Sequence, residues 1–274
     1  MKLRSHWWSD LSTREFSDLD MSELVAVLPV GATEQHGPHL GVGVDAVLAR
    51  GVVTRAIELM SPDFPALVLP VQEIGKSDEH SEFSGSLAFS YDLVARMWFQ
   101  IGEAVYRSGC RKIVFVNAHG GNRAVMEIVC RELRVKLGML AVASSWSRIF
   151  DRSDLFSEFE LKHGVHGGEF ETSAMLHIRP DLVDMAYADN FETVSVSMAQ
   201  ENTLLGPHTE ASFAWQAQDL HPAGASGNAA AADAERGKES VDRAAKALLT
   251  IISEMRAFPL DRLKRETEFN RSSL

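Results

Sequence analysis

The chain has 274 residues, 45% of them hydrophobic, and a formal net charge of −11. That is enough apolar mass for a substantial core, and the acidic surface repels phosphate backbones and anionic membranes, so nucleic acid and membrane are excluded as expected partners. No stretch approaches the run of about 18 uncharged apolar residues that a spanning helix needs, and the opening MKLRSHWWSDLS lacks the apolar segment of a secretory signal, so a cytoplasmic protein is expected. Cys110 and Cys130 form no Cys-x-x-Cys pair and read as reduced and structural.

Residues 24–30 (LVAVLPV) form an apolar run ending at Gly31, the pattern of a strand buried on both faces. Helical spacing follows Asp45. Residues 66–71 (ALVLPV) predict a second strand, which Pro70 should end. A loop rich in charge, Gly and Ser runs through Ser86, and residues 90–109 predict a helix capped by Ser90 and closed by Gly109. Residues 113–117 (IVFVN) predict a third strand, AHGGN a turn, and residues 123–136 a helix. Residues 139–145 (MLAVASS) predict a fourth strand. A short helix is expected at 169–177, a long polar loop over 185–230, and an amphipathic helix at 232–256. Strands alternating with helices imply a mostly parallel sheet covered on both faces, with ligands beyond the carboxyl ends of the strands.

Three clusters stand at such positions. The first, GATEQHGPHLGVGVD (31–45), offers Glu34, His36, His39 and Asp45 among glycines that let the loop curl back. Mixed carboxylate and imidazole suit Zn, Mn or Fe(II); the plainer reading is a polar loop with incidental charge. The second, NAHGGN (117–122), places His119 at the end of the third strand. A phosphate loop is the alternative there, against which stands the lack of a following Lys, and Asn117 and Asn122 equally suit turns that bond their own backbone. The third, HGVHGGEFETS (163–173), offers His163, His166, Glu169 and Glu171. Glu169 and Glu171 cannot share one helical face, so at most one of them should bind a metal. Two metals sharing a carboxylate use these groups more economically than one, and an unligated histidine would carry a proton to the departing nitrogen. No G-x-S-x-G elbow is present for serine catalysis. His80 and Phe83, after the second strand, and Trp146, after the fourth, are candidates to border a substrate pocket; a solvated loop histidine and ordinary packing are the competing readings.

Together, LPVGATEQHGPHLGVGVD, NAHGGN and HGGEFETSAMLHIRPDLVD, in this order and spacing, resemble the creatininase family (creatinine amidohydrolase and its relatives) over most of residues 20–256. The resemblance implies a three-layer α/β/α sandwich, a single catalytic domain over 1–260 with a frayed tail at 261–274, and a homo-oligomer, a hexamer built from dimers. Exposed-looking Trp7 and Trp8 and the long loop at 185–230 are the sequence's own, thinner motive for assembly. It further implies two divalent metals, Zn or Mn and in some members Fe, about 3.5–4 Å apart. Glu34 and His119 would bind one metal, His36 the other, Asp45 both, and His166 would move protons.

Two departures bear on chemistry. Creatininase carries a glutamate two residues after the histidine of the second motif, where this chain has Gly121, and an apolar residue where this chain has Glu169. A ligand swap is therefore expected, Glu169 reaching the same metal from the opposite loop. Creatininase also closes its pocket with a tryptophan near the position of Lys162, absent here, although Trp146 matches a second pocket aromatic. The expected reaction is hydrolysis of a small, neutral or weakly polar cyclic amide or lactam. Alternatives are a linear amide or N-formyl hydrolase, a creatinine amidohydrolase, a lactonase, and a non-enzymatic metal-dependent binding protein.

Overall fold

The computed structural model describes residues 2–267 and 269; the expected tail at 261–274 falls partly outside them. Four strands, β1 (Val25–Val30), β2 (Ala66–Val68), β3 (Lys112–Asn117) and β4 (Leu140–Ser145), form one sheet in the order β2-β1-β3-β4, every pairing parallel. Pro29 sits inside the central strand β1. The carbonyl of Pro29 accepts from Gln72 on the β2 side, where regular pairing has already ended at Val27↔Val68. The missing proline N–H therefore falls on the flank with no ladder to break.

Side-chain parity splits the core in two. Val25 and Val27 of β1 and Val114 and Val116 of β3 face helices α2 (Val44–Leu59), α6 (Glu169–Ile178) and α9 (Ala234–Ala257). Ala26, Leu28, Ile113 and Phe115 face α3 (Tyr91–Arg107) and α4 (Arg123–Glu132). The result is helix, sheet, helix, an α/β/α sandwich. Short helices α1 (Thr13–Asp18), α5 (Glu158–His163), α7 (Ser195–Glu201) and α8 (Ala217–Leu220) complete the chain. Minor strands β5 (Asn190–Phe191) and β8 (Gly227–Asn228) pair antiparallel, and β6 (Leu205–Gly206) pairs with β7 (Ala211–Ser212), so the expected long loop carries its own small elements.

Several expectations change in detail. Ser90 occupies the N-cap of α3, but its hydroxyl donates to Asp92 rather than accepting a helix N–H. The helix expected to reach residue 136 ends as a π turn over Leu133–Leu137, stopped by Gly138 at φ +71. Both tryptophans near the start are half-buried: Trp7 packs on one core, and Trp8 packs on the other with its ring 4.7 Å from that of Phe16. They do not supply the exposed apolar patch read from the sequence.

Strand register decides where the loops emerge. Val30 is level with Asn117, and Asn117 with Ser145. The segments leaving β1, β3 and β4 therefore leave together at one edge of the sheet.

Candidate metal centre

Buried carboxylates and imidazoles meet at that edge. Glu34, on the loop leaving β1, is fully buried, and Ser77 donates to its Oε2. The other oxygen, Oε1, faces His119 Nδ1 at 3.1 Å, His80 Nε2 at 3.4 Å and His166 Nδ1 at 3.7 Å. Asp45, in the first turn of α2, turns Oδ1 toward His36 Nε2 at 3.3 Å and Oδ2 toward His119 Nδ1 at 3.2 Å. Glu171 Oε2 lies 3.9 Å from His36 Nε2 and accepts the N–H of Gly167 at 2.7 Å.

These atoms fall into two overlapping sets, Glu34–Asp45–His119 and His36–Asp45–Glu171, each with its donors within 4.8 Å of one another. A third set, Glu34–His36–His166, also converges. The imidazoles are oriented by their far nitrogens. His36 Nδ1–H donates to the Glu34 carbonyl at 3.0 Å, and His119 Nε2–H donates to the Lys76 carbonyl at 2.8 Å. Each histidine thereby turns its other nitrogen into the cluster, the orientation of a ligating tautomer once a cation takes the place of the proton.

The donor set fits divalent cations. Glu34 Oε1, His36 Nε2 and Asp45 Oδ2 are sealed from solvent with no hydrogen-bond partner, an expensive state for polar atoms unless something else is bound there. Electrostatics agrees. Burial would push the His36 imidazole down, but Asp45, with Glu171 and Glu34, lifts it to about 9. Against the same burial, Glu34 and Asp45 hold His119 well above its ordinary value. Burial raises the Glu171 carboxyl, with Asp45 adding to it against His36. Such a cluster gathers protons because it is short of positive charge, and mixed O and N donors of this kind match Zn, Mn or Fe.

The expected Glu169 is not among these residues, which corrects the ligand assignment made from the sequence. Its carboxylate pairs with Arg236 of α9, a partner 67 positions away in the chain. Gly121 cannot carry the creatininase glutamate because its space is taken. A Cβ there would overlap Glu79 Oε1 and come within 2.5 Å of His119 Nε2 and 2.6 Å of the Lys76 carbonyl. Gly121→Ala is accordingly expected to disturb the His119–Lys76 bond and weaken metal binding about 10- to 100-fold. Metal titration of the stripped protein measures this, and an unchanged affinity would remove Gly121 from the site's support.

Trp146 is a second correction. It is 1% exposed and stacks on Phe170, ring centroids 4.5 Å apart, inside the core, so it offers no open wall. Phe83 is half-exposed, its N–H bonded to the His80 carbonyl. His80, by contrast, lies deep in the site. It is 2% exposed, with Nδ1 accepting from Gln35 Nε2 at 2.8 Å and Nε2 toward Glu34. His39 bonds Thr172 and His163 bonds Ser195, both outside the metal-ligating sets.

Sequence reasoning missed two supporting residues. Gln35 also donates to the Gly224 carbonyl and accepts the N–H of Gly37, pinning the loop between Glu34 and His36. Glu160 accepts the N–H groups of Glu169 at 2.7 Å and Asn228 at 3.0 Å, in a cradle of Gly164, Gly168 and Gly227 that any side chain would fill. It thereby anchors the segment carrying His166 and the start of α6. The repeated glycines around HGVHGG were the available signal. Asn117 does bond its own turn, through the His119 N–H, but Asn122 joins three loops through Gly31, Lys76 and Asn117.

Comparison with known proteins gives a consistent result. Residues 9–252 match the family described as Creatininase: Creatinine amidohydrolase. The mycofactocin precursor peptide peptidase of Mycobacterium ulcerans (strain Agy99) is 30% identical over 64% of this chain and 66% of its own length, so the chain spans just under two-thirds of that relative. The creatinine amidohydrolase of Pseudomonas putida is 31% identical over 66% of this chain and 75% of its own. A solved mutant creatininase of the Zn-Zn type superposes with a TM-score of 0.73 at 26% identity, covering 92% of this chain and 98% of that one, and a manganese form gives 0.71 at 25%, with the same coverage.

Proposed function

The chain belongs to the creatininase family of metal-dependent amidohydrolases, and we propose on that premise that it hydrolyses the C–N bond of a small amide, cyclic or lactam-like, at a centre built for two divalent cations. Glu34, Asp45 and His119 would hold one cation, and His36, Asp45 and Glu171 the other. Such cations, when bound, lower the pKa of water and polarise a scissile carbonyl.

The chain's own part is proton handling. His166 Nε2–H donates to the Gln35 carbonyl at 2.7 Å, which leaves Nδ1 with a lone pair toward Glu34. Burial, then His36 and His80, hold this imidazole well below its ordinary value, so it stands neutral with that lone pair open, and a proton taken there is held weakly. It can release that proton to the departing nitrogen. Closure of the site by Trp146 and a tryptophan near Lys162 has no counterpart here, which argues against creatinine itself. A linear amide is the second reading, supported by the identity with the peptide peptidase. A single catalytic unit over 1–260, working as a cytoplasmic homo-oligomer of hexameric type, belongs to the same proposal.

The observation that carries this reading is the trio of sealed, unpartnered donors, Glu34 Oε1, His36 Nε2 and Asp45 Oδ2. The test is a screen of protein loaded with Zn or Mn against creatinine, hydantoins, lactams, lactones, N-formyl compounds and short peptides. Turnover of an amide is expected, lost on chelation and restored by either metal. Failure on every amide with both sites filled, or a clear preference for the lactone of one skeleton over its lactam, would defeat the proposal.

A further inference from the structure

Arg152 lies in the segment leaving β4, at the same edge of the sheet as the metal-ligating cluster. Its guanidinium sits 4.1 Å from the ring centroid of Phe170, the residue between Glu169 and Glu171 in the first turn of α6. It is half-buried. Among the described residues no carboxylate lies within ion-pair distance of it and no side-chain hydrogen bond reaches it, yet none of its nitrogens is among the sealed, unpartnered atoms. Burial lowers its pKa, with Glu171 the foremost opposing charge and Arg148 adding to the drop. Arg148 in turn feels Arg123, at the start of α4.

Acidic residues number 38 against 27 basic ones, and three other partly buried arginines do meet carboxylates: Arg55 with Asp242, Arg236 with Glu169, and Arg243 with Asp154 and Glu239. A partly desolvated cation left without a partner costs stability. Its planar fork of N–H donors matches a carboxylate in two parallel bonds, and the aromatic ring beneath holds that fork in one plane.

We propose that Arg152, beside the metal centre, is a specificity-determining residue and that the amide cleaved there carries a free carboxylate. This replaces the neutral substrate expected from the sequence. The word "substrate" rests on the hydrolase reading, so the test reads binding as well as turnover.

Calorimetry on metal-loaded protein compares N-formylglycine with N-formylglycinamide, which differ only in carboxylate against carboxamide. Wild type is expected to bind the carboxylate about tenfold or more tightly, the range of a charge-assisted pair. Arg152→Met, which keeps an apolar stem on Phe170, should abolish the preference, and Arg152→Lys should retain part of it. Equal binding of the two compounds by wild type overturns the proposal. So does a preference that survives in Arg152→Met, since the carboxylate would then be held by the metals. If Arg152→Met does not fold, a full, undiminished preference in Arg152→Lys also counts against the fork. Binding without turnover of any amide strikes the hydrolase reading and leaves the carboxylate site standing.

Discussion

Replacing His166 with alanine should lower turnover by about 10²–10⁴, the usual worth of a positioned acid–base group, while both cations stay bound. The imidazole packs against two others, its ring centroid 4.1 Å from that of His36 and 4.3 Å from that of His80, with the planes tilted by 33° and 34°. Its Nε2 is committed to the Gln35 carbonyl, so only Nδ1 is available to the reaction. The competing role is that of a ligand, because Nδ1 also converges with Glu34 and His36. The two roles exclude one another: a coordinated nitrogen has no lone pair for a proton. Metal analysis of dialysed protein beside kinetics on a substrate from the screen separates them. A catalytic His166 leaves the metal content at wild-type level and the lost rate unrecovered at high metal concentration. A variant that loses one metal equivalent, with activity returning as metal is added, would make His166 a ligand.

Much of this architecture was legible in the sequence, for identifiable reasons. Strands buried on both faces are continuous apolar runs, so all four sheet strands were found within a few residues, and a parallel sheet then directed attention to the segments leaving them. Glu34, His36, Asp45 and His119 lie on those segments and meet in the structure. What escaped depended on partners distant in sequence. His80 was named as a candidate pocket residue, but its place among the ligands was not legible, because Gln35 and Glu34, which hold it, come from a different loop. Trp146 stood beyond a strand end but continues the parity of Leu140 and Val142, which face the α6–α9 layer, so its ring enters that core. That clue was present in the alternation and was outweighed by position. Arg152 carried no signal at all, because being unpaired is a property of the folded chain.

The choice between Glu169 and Glu171 was the sharpest failure, and it leads to a test with opposite expected results for two neighbouring residues. Two positions along a helix turn a side chain by about 200°, so when one glutamate faces the cluster the other must face away. The phase depends on how the two glycines before Glu169 enter α6. The structure sends Glu169 to Arg236 and Glu171 to His36. Glu171→Gln should therefore weaken one metal site, since a neutral amide donates less charge to a cation, and the dialysed variant should retain about one metal equivalent where wild type retains two. Activity should recover in large part as metal is raised. Glu169→Gln should keep both cations but lower stability by about 1–3 kcal/mol, because Arg236 loses its carboxylate in a partly buried setting. Thermal or denaturant unfolding of stripped protein measures that loss without a contribution from bound metal. Arg236→Met in the Glu169→Gln background should cost less than it does in wild type, the coupling expected of a direct pair. Metal loss in Glu169→Gln, with Glu171→Gln retaining both cations, would reverse the assignment and restore Glu169 as the ligand that replaces the side chain missing at Gly121.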